Sequence, residues 1–198
     1  LTQKLLDAGY NAEGLSPDIN QMKVFTENVN AKFHHTTFGK FEPEYEYDCL
    51  IMSESAQYIK MDRLFETSAR ALKKYGYLMI CDYFRLESAS GIHGKSGHYF
   101  HIFKDHIDHS GFKLIAEKDI TNSVTKTLDI AKDFADRALL AADIGTEKIR
   151  SKHPHLSKFV LWLFRKKIDK MDKQMELIDS AAFKQNKKYI FLLLQTKN

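Results

Sequence analysis

The stretch Tyr47–Phe84, YDCLIMSESAQYIKMDRLFETSARALKKYGYLMICDYF, limits what this chain can fold into more than any other. Cys49-Leu50-Ile51-Met52 is an apolar run of strand length that ends in the polar cluster Ser53-Glu54-Ser55. Leu64, Ala69, Ala71 and Leu72 then give a helix its apolar side, Lys73 and Lys74 fall in its last turn, and Gly76 stops it. A second apolar strand, Tyr77 to Cys81, follows at once. Strand, helix and strand within so short a span, with neither strand alternating, predict a right-handed crossover in a parallel sheet covered on both faces. The expected class is therefore α/β, and ligands of open α/β sheets bind at the carboxyl ends of the strands.

The order of these residues resembles class I S-adenosylmethionine-dependent methyltransferases, in particular the small-molecule branch with the sterol, tocopherol and cyclopropane-fatty-acid enzymes. Members of that branch carry an aromatic-Asp pair before strand four and an R-x-L-K-P-G-G turn before strand five, which often ends in Asp. Here the positions read Tyr47-Asp48, then Arg70-Ala71-Leu72-Lys73-Lys74-Tyr75-Gly76, then Asp82, with Lys74-Tyr75 in place of the Pro-Gly pair. A family segment G-x-x-L-S-P-x-Q is similar to Gly14-Leu15-Ser16-Pro17-Asp18-Ile19-Asn20-Gln21. Gly111-Phe112 resembles the turn before strand six, and Asp119-Ile120-Thr121 the end of that strand.

The resemblance implies a Rossmann-like sheet and S-adenosylmethionine as cofactor. It places Gly14, Leu15, Ser16 and Gln21 near the ribose and adenine, with Thr37 and Phe38 where relatives read the adenine with an acid that is absent here. It places Ser53, Glu54 and Ser55 at the methionine end, Glu54 holding an ammonium or a substrate hydroxyl. Tyr58, Tyr83 and Trp162 are the expected acceptor contacts. The ribose-binding acid has no clear counterpart, since Glu13 comes too early and Asp18 late. Strand one and its glycine-rich loop have no counterpart either, although only glycine lets the backbone approach the cofactor closely. The expectation is a fragment of a longer protein, or one whose preceding segment was removed, and hence a sheet incomplete at its start. The alternative is a natural protein that never binds the cofactor.

Other readings stay beside these. Ser53 or Ser55 can instead cap the following helix. Leu1–Ala8 reads as a helix ended by Gly9, Asn11–Leu15 as a short strand, 20–30 as a helix and Phe33–Phe38 as an outer strand. His34 and His35 face opposite ways on a strand and do not share a metal. The segment after Phe84 carries Gly91, Gly94 and Gly97 together with His93, His98, His101, His106 and His109. It reads as a substrate loop, since no zinc spacing or phosphate loop matches. One imidazole near the acceptor can take a proton during oxygen or nitrogen methylation, and His98 or His101 is the expected base.

Three domain segments are expected: a methyltransferase core over 1–121, a helical cap inserted over 122–186, and the last strand of the core over 187–198. Leu161, Phe164, Ile168, Met171, Met175 and Ile178 form a seam along a long helix, either a cap over the acceptor or a hairpin that pairs two copies as a homodimer. Lys158, Arg165, Lys166, Lys167, Lys170 and Lys173 on the same stretch face solvent or an anionic partner. The 198 residues suit one ordinary core. The net charge of +4 comes with no nucleic-acid motif, which argues against nucleic acid as the partner. No apolar run is long enough for a membrane span. Cys49 and Cys81 fall in predicted strands as reduced core residues, which predicts a cytoplasmic setting. The function expected is methyl transfer to a small, partly apolar molecule. The rivals are a nucleotide-dependent reductase, which needs a phosphate loop, and a non-catalytic interaction module that uses the basic insertion.

Overall fold

A computed structural model describes residues 1–152 and 175–197 of the chain. In chain order the elements are α1 (Thr2–Asp7), β1 (Gly14–Leu15), α2 (Ile19–Asn28), β2 (Phe33–His34), β3 (Tyr47–Ser53), α3 (Met61–Ala71), β4 (Leu72–Arg85), α4 (Phe100–His109), β5 (Phe112–Asp119), α5 (Thr121–Lys152), α6 (Ser180–Asn186) and β6 (Lys187–Thr196). The strands form two sheets, a parallel β1-β2 pair and a four-stranded sheet in the order β3-β4-β6-β5. Lys73 Nζ lies 2.7 Å from Asp48 Oδ1, so β3 and β4 begin side by side and run the same way. β6 runs against both its neighbours. Leu86 N–H donates to Asn186 O while Thr196 Oγ1 donates to Lys73 O, and Ile120 N–H donates to Tyr189 O while Lys197 N–H donates to Gly111 O.

The chain divides into two compact units. The first comprises Leu1–Ile80, Phe103–Ala116 and Leu192–Asn198, and the second Cys81–Ile102 and Glu117–Phe191. In the first, α3 turns Leu64, Phe65, Ser68 and Ala71 inward at helical spacing, with Asp62 in its first turn where the helix dipole favours an acid. Phe65 meets Phe103 at 5.4 Å and Phe112 at 5.7 Å between ring centres, and His106 stacks on it at 5.4 Å. Full burial of each phenyl ring contributes roughly 2–3 kcal/mol. In the second unit Phe84 packs on Phe100 at 5.4 Å, while Tyr189 and Ile190 bury the start of β6.

The helix starts and stops where local chemistry dictates. Asp18 caps α2 by accepting the Asn20 and Gln21 N–H groups at 2.7 and 3.3 Å. Gly9, at φ +85°, ends α1 as its position in the sequence predicts. Gly14 has a different task. A Cβ there would lie 2.6 Å from Phe25 Cε2 and 2.9 Å from Phe33 Cδ2, two rings already packed at 4.8 Å. Gly14→Ala is expected to cost about 1–2 kcal/mol, read as a lower thermal midpoint, because both rings must give way together.

Several expectations need correction. α3 ends at Ala71 and β4 begins at Leu72, so Lys73 and Lys74 belong to the strand and Gly76 does not stop the helix. Tyr75 takes φ +62°, and Gly76 lies where a Cβ would meet Lys73 O at 2.8 Å and Asp48 O at 3.3 Å. The glycine is needed for close backbone approach at a kink in the strand. β3 is apolar yet largely exposed: Ile51 is 39% exposed and Cys49 lies outside the core. Among the described residues it is one of the two edge strands of its sheet, which periodicity cannot tell from a central one. β4 is buried on alternate residues from Gly76 to Phe84. The outer strand expected over Phe33–Phe38 spans Phe33–His34 only, and Phe38–Lys40 forms a single 3₁₀ turn. α5 continues through Gly145 without a break. Of the expected apolar seam, Leu161, Phe164, Ile168 and Met171 lie outside the described residues, as does Trp162.

Candidate functional site

In the first unit two strand ends collect most of the residues singled out by sequence. Leu15 pairs with His34 in the β1-β2 sheet. Beyond it Ser16 N–H donates to His34 O at 3.2 Å, and His35 Nε2 donates to Pro17 O at 3.0 Å. Ser16–Pro17 and His35–Thr37 are thus neighbours at one carboxyl end. Ser16 Oγ accepts the Asp18 N–H at 3.2 Å, a turn that leads into the α2 cap. Gln21 is exposed on α2, and Thr37 is exposed at the start of the 3₁₀ turn. The Phe38 ring stacks on Phe41 at 6.5 Å.

The carboxyl end of β3 is the second cluster. Ser53 closes the strand, Glu54 takes φ +53°, and Ser55 precedes the Ala56–Tyr58 turn. A non-glycine residue held in the left-handed region is strained, and such strain concentrates at ligand sites. Neither serine caps a helix: the turn and α3 both begin without a side-chain cap bond. Among the described residues no partner takes either hydroxyl, so both are open to a ligand. Tyr58 is 78% exposed beside them.

Glu13 is placed quite differently from a ribose ligand. It stands at the amino-terminal side of β1, where its carboxylate receives His34 Nε2 and the Tyr47 hydroxyl, each at 2.7 Å, and the Tyr45 hydroxyl. Burial pushes its carboxyl group up, but the hydrogen bonds from Tyr45, His34 and Tyr47 prevail and hold it below the usual value. Burial, and then the hydrogen bond to Glu13, push the Tyr47 phenol up. Glu13 is committed to joining β1 and β2 to the start of β3, and Asp18 to its helix cap. A ribose diol finds no free oxygen on Glu13, and on Asp18 only Oδ1 is taken by the cap; the hydroxyls at the β3 tip suit the polar end of a cofactor.

The second unit holds the other named residues. Tyr83, near the end of β4, places its hydroxyl 3.2 Å from Ser96 Oγ. His98 O accepts the Arg85 N–H at 2.8 Å. His101 begins α4, half-exposed, with Nδ1 3.4 Å from Glu87 Oε1. His106 and His109 lie further along α4, in the first unit, with His106 Nε2 3.0 Å from Asp62 Oδ1. Among the described residues no three His, Cys, Asp or Glu side chains gather as a metal site. No described helix is long and apolar enough to cross a membrane. Sequence reasoning missed two clusters, Glu13 with its tyrosines and Lys187 with Ser96, Tyr83 and Arg85. The second left one trace, a lysine at the head of the apolar strand KKYIFLLLQT.

No family model and no curated protein sequence matches the chain. Solved structures do. A Galdieria sulphuraria protein assigned as a sarcosine dimethylglycine methyltransferase superposes with TM-score 0.68 at 12% identity, over 98% of this chain and 72% of its own. Phosphoethanolamine N-methyltransferase 2 of Haemonchus contortus, in complex with phosphomonomethylethanolamine and S-adenosylhomocysteine, gives 0.67 at 16% identity, over 99% of this chain and 46% of its own. The cyclopropane synthase MmaA2 of Mycobacterium tuberculosis gives 0.64 at 14% identity, over 97% and 72%. The chain thus spans between about half and three quarters of these proteins. A cyclase, SpnF, is also similar, at TM-score 0.58 and 14% identity, so the fold supports more than one chemistry. The β3-β4-β6-β5 order with a reversed β6, the paired β1-β2 strands and these superpositions agree: the chain has the Rossmann-like fold of S-adenosylmethionine-dependent methyltransferases.

Proposed function

We propose that this chain is the core of an enzyme that transfers a methyl group from S-adenosylmethionine to a small molecule. The observation that carries the reading is the tip of β3. It is a strand end of a methyltransferase fold where two serine hydroxyls are uncommitted and Glu54 is held in a strained backbone conformation. The similar Haemonchus protein, bound to S-adenosylhomocysteine, supports the choice of cofactor.

The cofactor supplies an electrophilic methyl group on a sulfonium sulfur. The protein's part is to hold donor and acceptor aligned, which accounts for most of the rate in such displacements and requires few reactive side chains. In this reading Ser53 and Ser55 bind the methionine end, and Glu54 faces its ammonium group. Leu15, Ser16, Gln21, Thr37 and Phe38 border the nucleoside. Gly14 serves indirectly, by letting Phe25 and Phe33 close beneath β1. Tyr58, Tyr83 and Trp162 contact the acceptor, and His98 or His101 takes its proton. The segment limits 1–121, 122–186 and 187–198, and the pairing of two copies through the insertion, belong to the same proposal.

Titration of S-adenosylhomocysteine into the natural protein, followed by calorimetry, tests the reading. The expected result is saturable binding with a dissociation constant on the order of micromolar, weakened by about tenfold or more in a Ser53→Ala, Ser55→Ala double variant. Silence from a folded sample overturns the proposal and leaves an interaction module built on the same sheet.

A further inference from the structure

Lys187, the first residue of β6, is 3% exposed. Because β6 runs against β4, this lysine lies beside the carboxyl end of β4, where Leu86 N–H donates to Asn186 O at 2.9 Å. Its Nζ donates to Ser96 Oγ at 3.2 Å and sits 3.9 Å above the centre of the Tyr83 ring. Among the described residues no carboxylate lies within ion-pair distance of it. One of its three donors is used.

Two more basic groups in the same unit are similarly short of acceptors. Arg85 stacks on Tyr99 with its guanidinium carbon 4.0 Å from the ring centre and donates through one terminal nitrogen to Gly94 O, yet its Nε is buried without a partner. His93 is 2% exposed; its Nε2 lies 3.2 Å from Glu176 O, and its Nδ1 is buried without a partner. Burial and the Arg85 charge both push the Lys187 ammonium down, to about 8. Asp82, fully buried, pulls the other way, and its Oδ1 already accepts the Tyr83 N–H at 2.8 Å.

Burying an ammonium without a paired carboxylate is costly, and a ring face with one hydroxyl offsets only part of the cost. Among the described residues, Lys187 and Arg85 outnumber their neighbour Asp82 by one charge, at a strand end of the kind where α/β proteins bind ligands. Unused donors and excess charge have one remedy in common, an anion that accepts from both. We propose that Lys187, Arg85 and Ser96 form a subsite for an anionic group, a carboxylate or a phosphate ester, carried by the acceptor molecule. Naming the acceptor as its bearer rests on the methyl-transfer reading; the anion site itself rests on the cluster.

The probes are inorganic phosphate and acetate, titrated separately into the natural protein. Calorimetry gives the affinity, and nuclear magnetic resonance of the arginine Nε–H groups reports Arg85. The expected result is saturable binding of at least one anion with a shift of the Arg85 resonance. Affinity falls by about tenfold or more in Lys187→Met and is largely kept in Lys187→Arg. Ser96→Ala, a milder change, is expected to weaken binding several-fold and serves if Lys187→Met does not fold. Equal affinity in the lysine or serine variant, or an Arg85 signal unmoved by either anion, overturns the subsite. A sample that binds S-adenosylhomocysteine but neither anion rejects the subsite alone; one that binds an anion through Lys187 but no S-adenosylhomocysteine rejects the methyl-transfer reading alone.

Discussion

Glu13→Ala is expected to destabilise the first unit by about 1–3 kcal/mol, since the part-buried His34 and Tyr47 donors lose their acceptor at once, while Tyr45, 47% exposed, turns to water. The Glu13 side chain is 12% exposed and that of His34 14%, so water can rescue neither well. Its partners arise from three places, β2 at His34, the segment before β3 at Tyr45, and the first residue of β3 at Tyr47. Glu13→Gln keeps the shape and two of the hydrogen-bonding roles, so it is expected to recover about half of the loss. Denaturant midpoints of the two variants check this, and an alanine variant as stable as the parent would show that the cluster carries nothing.

The pH dependence has a definite sign. A carboxyl group held below its unfolded value of 4.5 contributes stability in full above that value, and loses it as pH falls through the lower folded value. The parent protein should therefore lose stability on acidification below about pH 4.5 more steeply than Glu13→Gln, whose side chain does not titrate.

Glu13 also marks where the sequence stops being legible. The strand-helix-strand order from Tyr47 to Phe84 and the helix expected over 20–30 follow from patterns within about ten residues, and both are present, although α3 ends at Ala71 rather than at Gly76. Local patterns carry such elements because their hydrogen bonds and apolar faces are local. The exposure of β3 was not legible, since an edge strand and a central strand can share one apolar run. Nor was the partnership of Glu13 with Tyr45 and Tyr47, which closes over more than thirty residues of chain. Its acid stands one residue before a strand of only two residues, so no spacing argument could assign it to the amino-terminal rather than the carboxyl end. The end of β3 at Ser53 was legible because a polar break after an apolar strand is a local signal. Lys187 was not, because the residues that enclose it, Tyr83, Arg85 and Ser96, come about a hundred positions earlier.

Raising the pH from 7 to 10 is expected to stabilise the protein, and Lys187→Met is expected to remove that dependence. The Lys187 ammonium titrates at about 8 in the folded chain against 10.5 for an ordinary lysine, first because it is buried and second because Arg85 is near, with Asp82 opposing. Between those two values the unfolded chain holds a proton that the folded chain has released, so stability rises with pH through that window. Below about pH 8 the penalty is present in full, on the order of 3 kcal/mol. Methionine removes the charge and keeps most of the volume, so Lys187→Met is expected to be the more stable protein at pH 7 by a comparable amount. The groups facing this ammonium are Asp82, Tyr83 and Arg85 on β4 and Ser96 in the loop; Asp82 is the one opposite charge among them, and the Tyr83 ring and Ser96 hydroxyl favour the charged form more weakly. A methionine variant less stable than the parent at neutral pH would mean that Asp82 and the Tyr83 ring already satisfy the ammonium. A more stable variant would leave Lys187 as a charge retained at a cost to folding, which is the condition expected of a group that meets its counter-ion on a ligand.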